Sequence, residues 1–169
     1  RFRRRAALLC SLAFTIAPAV AQDTYPSKPI TIVVAYPPGG STDLTGRTVA
    51  AELSNKLGVP VVIENIGGAG GAIGAQKVAS AAPDGYTLLV GASNEIAINK
   101  LVTKKVKYDI KDFTAIGLIA TQPLVLVAST GAGVKNLAEF TQKVSRNPGK
   151  FSYGSSGVGT SLHLAGEMV

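Results

Sequence analysis

The chain reads as an α/β protein built on a mostly parallel sheet with helices on both faces. Three observations predict this. Short, nearly continuous apolar runs alternate with stretches of helical periodicity, the pattern left by strands that are covered on both sides. Turns rich in glycine and proline separate the two kinds of segment. No period of roughly 20 to 50 residues recurs, which argues against a solenoid or propeller.

The first strand is expected over residues 30–36. Pro37-Pro38-Gly39-Gly40-Ser41-Thr42-Asp43 then opens a helix over 42–57, in which Val49, Ala50, Leu53 and Leu57 share one apolar face. Gly58 suits the left-handed position that ends helices. Val61-Val62-Ile63-Glu64-Asn65 is the second strand. The run from Gly67 to Gly71 leads into a helix over 72–81, and Pro83-Asp84-Gly85 turns into a third strand over 86–90. Between Ala92 and Asp112 the pattern is weaker, with a short helix over 95–101 and a loop through Tyr108-Asp109. Residues 113–120 and 124–128 read as two more strands, interrupted by Thr121-Gln122-Pro123. Asn136 with Glu139 three residues on forms a capping box for a helix that shows Leu137, Phe140 and Val144 on one side. Asn147-Pro148-Gly149 stops it. Phe151-Ser152-Tyr153 is a short strand, and a Gly/Ser-rich loop precedes a last helical start over 162–169.

The ends carry their own signals. Arg1-Phe2-Arg3-Arg4-Arg5, an apolar run to about Ala17, and Ala19-Val20-Ala21 before Gln22 make a cleavable secretory leader over 1–21. The run falls short of the ~20 residues a membrane span needs. Cys10 lies inside it without the small preceding residue expected of a lipidated cysteine, so the mature chain is expected to have no thiol chemistry. The formal net charge is +7, but four of those charges are Arg1, Arg3, Arg4 and Arg5, and no acid precedes Asp23, so the remainder carries +3. Such a mild excess suits small anions better than nucleic acid, which requires dense basic patches. Lys100, Lys104, Lys105 and Lys107 read as a solvated surface loop. The last helix stops at Met168-Val169 without a cap, as a truncated chain would, and apolar surface is expected to be exposed around Phe151 and residues 162–169.

The stretch from Tyr36 to Asp43 carries the clearest chemistry. A strand, a glycine turn and a helix start, in that order, present backbone N–H groups that have no partner within the helix. The aligned peptide dipoles place partial positive charge at the same end. The arrangement fits a carboxylate or a phosphate; an ordinary strand-to-helix turn capped by Ser41 or Thr42 is the plain alternative. The loop after Tyr153 repeats the theme with Ser155, Ser156, Gly157, Gly159 and Thr160.

Taken together, several segments resemble the periplasmic solute-binding proteins of the tripartite tricarboxylate transporters, the Bug family. They are Tyr25-Pro26-Ser27-Lys28-Pro29-Ile30, Pro37 to Asp43, Val62-Ile63-Glu64-Asn65, Gly67 to Gly74, Ala82 to Leu89, Tyr108-Asp109 before Asp112-Phe113, Tyr153 to Gly157, and His163-Leu164-Ala165-Gly166-Glu167. The resemblance implies a type II periplasmic binding fold with two lobes, each a mostly parallel sheet flanked by helices. The first lobe would span 22–122, and 123–169 would begin a second, incomplete lobe, with hinge segments near residues 121–123. It further implies a small carboxylate ligand (a di- or tricarboxylate, an aromatic acid or an amino acid) held in the cleft between the lobes and handed to membrane subunits in the periplasm. Two grips are implied, at Gly39, Gly40, Ser41 and Thr42, and at the loop from Ser155 to Thr160. Tyr36 stands where Phe is more usual. No nucleic acid, cofactor or metal is expected, and no enzymatic activity.

The remaining side chains allow more than one reading. Asp43 in the first helical turn is favoured by the dipole and is read first as a cap that faces away, with contact to a ligand ammonium as the alternative. Ser93 and Asn94 follow the third strand at the end where open α/β sheets bind ligands. Glu95 is read as a solvated helix start rather than a selector against a third carboxylate. His163, the only histidine, is expected to bond a neighbour in a first helical turn. A secreted hydrolase using Ser156 and His163 is the competing function. Its G-x-S-x-G elbow fails, because with Gly154 first the fifth position is Val158. A dinucleotide fingerprint at Gly68-x-Gly70 fails at Ile73, which leaves that loop as a flexible helix entry packed near the sheet.

Overall fold

The computed structural model describes residues 24–169. The proposed leader, with Cys10, lies outside the described residues. Three parallel strands, β1 (Ile30–Val34), β2 (Val61–Asn65) and β3 (Thr87–Val90), form a sheet in the order β2-β1-β3. β1 is central: Ile30 to Val34 pair with Val61 to Asn65 on one side, and Thr31 to Val34 pair with Thr87 to Val90 on the other. That position explains its composition, since Ile30, Ile32, Val33, Val34 and Ala35 are all buried.

Helix α1 (Ser41–Leu57) covers one face. Its Ala50 joins Ile32, Val34 and Val90 in the core, with Val49, Leu53 and Ile63 packed alongside. Gly58 ends it in the left-handed conformation at φ 68°, its N–H reaching Ser54 O at 3.0 Å. Val33 and Ala35 point the other way by strand alternation. That face receives α2 (Ala72–Ala79), where Ala75 is buried and Gly74 lies against Ala35. Beyond β3 come a π-helical turn (Asn94–Ile98) and α3 (Asn99–Val102), close to the short helix expected there. Tyr108 is buried and meets Phe113 edge-on, with ring centroids 5.6 Å apart.

Three expected strands do not form. Residues 113–120, 124–128 and 151–153 carry no ladder among the described residues. Their apolar side chains stand in solvent, Ile116 at 83%, Leu118 at 84% and Val127 at 81% exposure. The sequence has the β-branched composition of buried strands, but a strand exists only against a neighbour that satisfies its N–H and C=O groups, and none lies alongside. Phe151, Leu162, Met168 and Val169 are exposed, as the sequence led one to expect.

Helix α4 (Leu137–Ser145) starts as expected, with Glu139 N–H donating to Asn136 Oδ1 at 2.9 Å. The return bond shifts by one residue: Lys135 N–H, not that of Asn136, donates to Glu139 Oε2. Helix α5 (Ser161–Glu167) is capped by Thr160, whose Oγ1 accepts from His163 N–H at 3.3 Å.

Candidate functional site

All three strands end at one edge of the sheet, so the loops after β1, β2 and β3 leave it together. The loop before α5 joins them. A cavity of about 370 Å³ opens between the Tyr36–Pro37 corner, the 68–71 loop and the 156–158 loop. Its position outside the carboxyl ends of parallel strands is the usual place for a ligand in an open α/β sheet.

Side chains from the β3 loop tie these walls to each other. Asn94 is buried; its amide donates to the Tyr36 hydroxyl at 2.7 Å and its Oδ1 accepts from Ser161 N–H at 2.8 Å. Asn99, also buried, donates to Gly70 O at 3.0 Å. Gly70 packs between Asn99 and Thr160. Thr160 is fully buried and donates to Gly157 O at 2.7 Å, which fixes the turn of the 157–160 segment.

The sequence-predicted residues fall into three groups. Tyr36, Ser156 and Gly157 line the cavity. Asn94 and Thr160 are buried supports behind it, and Gly159 N–H donates to His163 Nδ1 at 3.3 Å. Gly39, Gly40, Ser41, Thr42 and Asp43 lie at the start of α1 and are not part of the lining, nor are the exposed Ser93 and Ser155. Gly40 is the N-cap, and no side chain caps the helix, so neither Ser41 nor Thr42 blocks its first amides.

Asp43 is fully engaged. Its Oδ2 accepts from Gly39 N–H at 2.9 Å and from Arg47 Nε at 3.0 Å, and its Oδ1 accepts from the Asn65 amide at 2.8 Å. Arg47 first, then the Gly39 N–H and the Asn65 amide, hold its carboxyl down at about 2. The residue therefore braces the glycine turn, and the Gly39 N–H is already in use.

Glu95 corrects the expectation of a solvated helix start: it is fully buried. Its Oε2 accepts from Ala92 N–H at 2.7 Å, while Oε1 has no partner. Burial pushes its carboxyl up, against the pull of the nearby Tyr36 hydroxyl and the Ala92 N–H. The Tyr36 hydroxyl is itself pushed up, by burial first and then by Glu95. The space for Glu95 exists because Gly71, at φ 88°, has no Cβ; one built there would collide with Oε1.

The 68–71 loop was read from sequence only as a helix entry, yet it forms one wall of the cavity. A usable signal was present: a glycine cluster directly after a parallel strand sits at the ligand-binding edge. The pairing of Ser156 with His163 that a hydrolase would need is not formed, since His163 Nδ1 accepts from Gly159 N–H and its Nε2 lies 3.8 Å from Glu167. No group of three or more His, Cys, Asp or Glu side chains that could hold a metal occurs among the described residues.

Comparison with known proteins identifies relatives of this chain. The profile described as "Tripartite tricarboxylate transporter family receptor" (TctC) matches residues 45–169. A UPF0065 protein of Bordetella pertussis is 43% identical over 147 residues, covering 87% of this chain and 46% of that protein. The structure of Rpa4515 of R. palustris with adipate superposes with a TM-score of 0.82 at 35% identity, over 85% of this chain and 48% of the other. MatC of Rhodopseudomonas palustris with bound malate gives a TM-score of 0.67 at 38% identity, over 72% and 42%. The chain spans about half the length of the curated relatives it matches.

Proposed function

The chain belongs to the tripartite tricarboxylate transporter receptor family, and on that footing we propose that it forms the ligand-gripping part of an extracytoplasmic receptor for a small carboxylate. The observation that carries this reading is the cavity between the Tyr36–Pro37 corner, the 68–71 loop and the 156–158 loop. Four of its nine lining residues, Gly68, Gly70, Gly71 and Gly157, are glycines, which let backbone come close to a ligand without intervening side chains. Ser156 adds a hydroxyl and Tyr36 a phenol. The open first turn of α1 at Gly40, Ser41 and Thr42 supplies a second set of amides and a positive dipole end at the same edge of the sheet. Relatives with adipate and with malate support a dicarboxylate as the first ligand to try.

In this reading residues 22–122 are the first lobe, and 123–169 begin the second. Closure about the 121–123 segment brings the Ser155–Thr160 loop down on the ligand, and the ligand shifts the population toward the closed form. The leader over 1–21 delivers the receptor to the periplasm, where it passes the ligand to the membrane subunits of a tripartite transporter. The test is calorimetric titration of the gene product with mono-, di- and tricarboxylates and amino acids, adipate and malate included. Saturable binding of a carboxylate, weakened at least tenfold by Tyr36→Ala, is the expected result. Binding of a sugar or a metal ion in place of every acid would end the proposal.

A further inference from the structure

A second cavity, of about 250 Å³, lies between α2 and the 103–108 segment. It is distinct from the cavity described above, although Ala69 lines both. Ala69, Ala72, Ile73, Val106 and Tyr108 give it an apolar floor. That floor is fixed in place. Tyr108 is buried, its ring meets Phe113 edge-on at 5.6 Å, and its hydroxyl accepts from the Asn99 amide at 3.4 Å. Ile73, in the first turn of α2, is 54% exposed, so the groove offers apolar surface to solvent.

Lys105 and Lys107 stand exposed at the rim. Neither forms an ion pair among the described residues. The acids that flank them are already engaged: Glu64 holds Lys77 of α2 at 2.6 Å, Asp109 faces Lys100 at 3.7 Å, and Asp112 accepts from Asp109 N–H at 2.8 Å. Among the described residues no acid lines the cavity. The same imbalance holds for the whole segment. Residues 100–112 carry five lysines against two aspartates, a net +3, which is the entire excess of residues 22–169. Ammonium groups crowded into so short a stretch repel one another, and a bound anion relieves the repulsion.

We propose that the groove between α2 and the 103–108 segment is a second binding site, for a small amphiphilic monoanion whose apolar body lies on the floor and whose charged group meets Lys105 and Lys107. The inference goes beyond the receptor reading and does not depend on it. A water takes up about 30 Å³ of liquid, so the cavity matches about eight of them, a molecule of roughly hexanoate's size. A dicarboxylate of that length would bury its second charge against apolar side chains, which is costly. Inorganic phosphate would answer the lysines and leave the floor uncovered.

The test is titration of the gene product with sodium hexanoate, followed by NMR at the Val106 methyls and the Lys105 and Lys107 ε-carbons, all from residues outside the first cavity. Saturable shifts at all three are expected, with half-saturation near about 1 mM for a ligand of this size, and weaker binding as salt is raised. Changing Lys105→Gln together with Lys107→Gln removes only exposed charge, and should weaken binding about fivefold or more; Lys150→Gln, outside the segment, should leave it unchanged. Hexylamine should shift none of these signals, and phosphate should shift the lysines alone. Absence of saturation at ten times the expected concentration, an unchanged affinity in the double variant, or phosphate matching hexanoate overturns the site. Sedimentation with phosphatidylglycerol vesicles separates a free anion from a lipid as the source: no co-sedimentation is expected, and co-sedimentation lost in the double variant would assign the groove to a membrane surface and overturn the proposal. These signals report the second cavity, so they decide the proposal whether or not a dicarboxylate binds the first.

Discussion

Asn94 accepts a hydrogen bond from the backbone N–H of Ser161 at 2.8 Å, across 67 positions of sequence. Through that contact the loop after β3 holds the start of α5, and with it the Gly/Ser wall of the cavity. The same side chain donates to Tyr36 at 2.7 Å. One buried amide therefore spaces two walls of the cleft.

Replacing Asn94 with Ala should release α5. The Ser161 N–H loses its acceptor and the Tyr36 hydroxyl loses a donor, a loss of about 1–3 kcal/mol for groups left unsatisfied in a buried setting. Urea unfolding measures the total. Hydrogen exchange at Ser161 gives the specific readout: its protection should drop while that of β1 amides stays. Unchanged exchange at Ser161 would show that the bond carries no structural weight.

Asp43 predicts an acid limb. Its carboxyl is held at about 2 by Arg47, the Gly39 N–H and Asn65, below an unfolded value near 3.9. A depressed pKa contributes stability that is complete above the unfolded value and is lost as pH falls through the folded one. The stability difference between the parent chain and Asp43→Asn should therefore be largest at neutral pH and shrink as pH drops from about 4 to 2. Unfolding midpoints at a series of pH values check this. A gap that stays constant with pH would mean that the Asp43 charge is irrelevant.

Gly71 and Gly39 form a matched pair. Both have positive φ, 88° and 92°, but a Cβ at Gly71 strikes Glu95 whereas one at Gly39 meets nothing within 4 Å. Each Gly→Ala change carries the left-handed backbone cost of about 1 kcal/mol. Gly71→Ala adds an overpacking cost of about 1–3 kcal/mol. The measured difference between the two variants should shrink when Glu95 is also changed to Ala. Equal costs at the two positions would remove the collision from the account.

The sheet was legible because β1, β2 and β3 combine continuous apolar runs with glycine- or proline-bearing turns, and both features act locally. Helix ends at Gly58 and Asn136 were legible for the same reason. The strands expected over 113–120, 124–128 and 151–153 do not form, because apolar and β-branched composition describes a strand's taste for burial and says nothing about whether a partner lies beside it. Of the residues expected to bind ligand, Tyr36, Ser156 and Gly157 lie in the lining of the cavity, whereas Gly39 to Asp43 do not. The burial of Glu95 was invisible, since it depends on the missing side chain of Gly71, 24 positions away and in contact only after folding.

That contact has a consequence for descent. Glu95 fills the volume that any larger residue at position 71 would need, so position 71 is held to glycine for as long as Glu95 stands. A lineage that shortens position 95 frees position 71 from glycine, and the second exchange then reshapes the cavity wall that Gly71 lines.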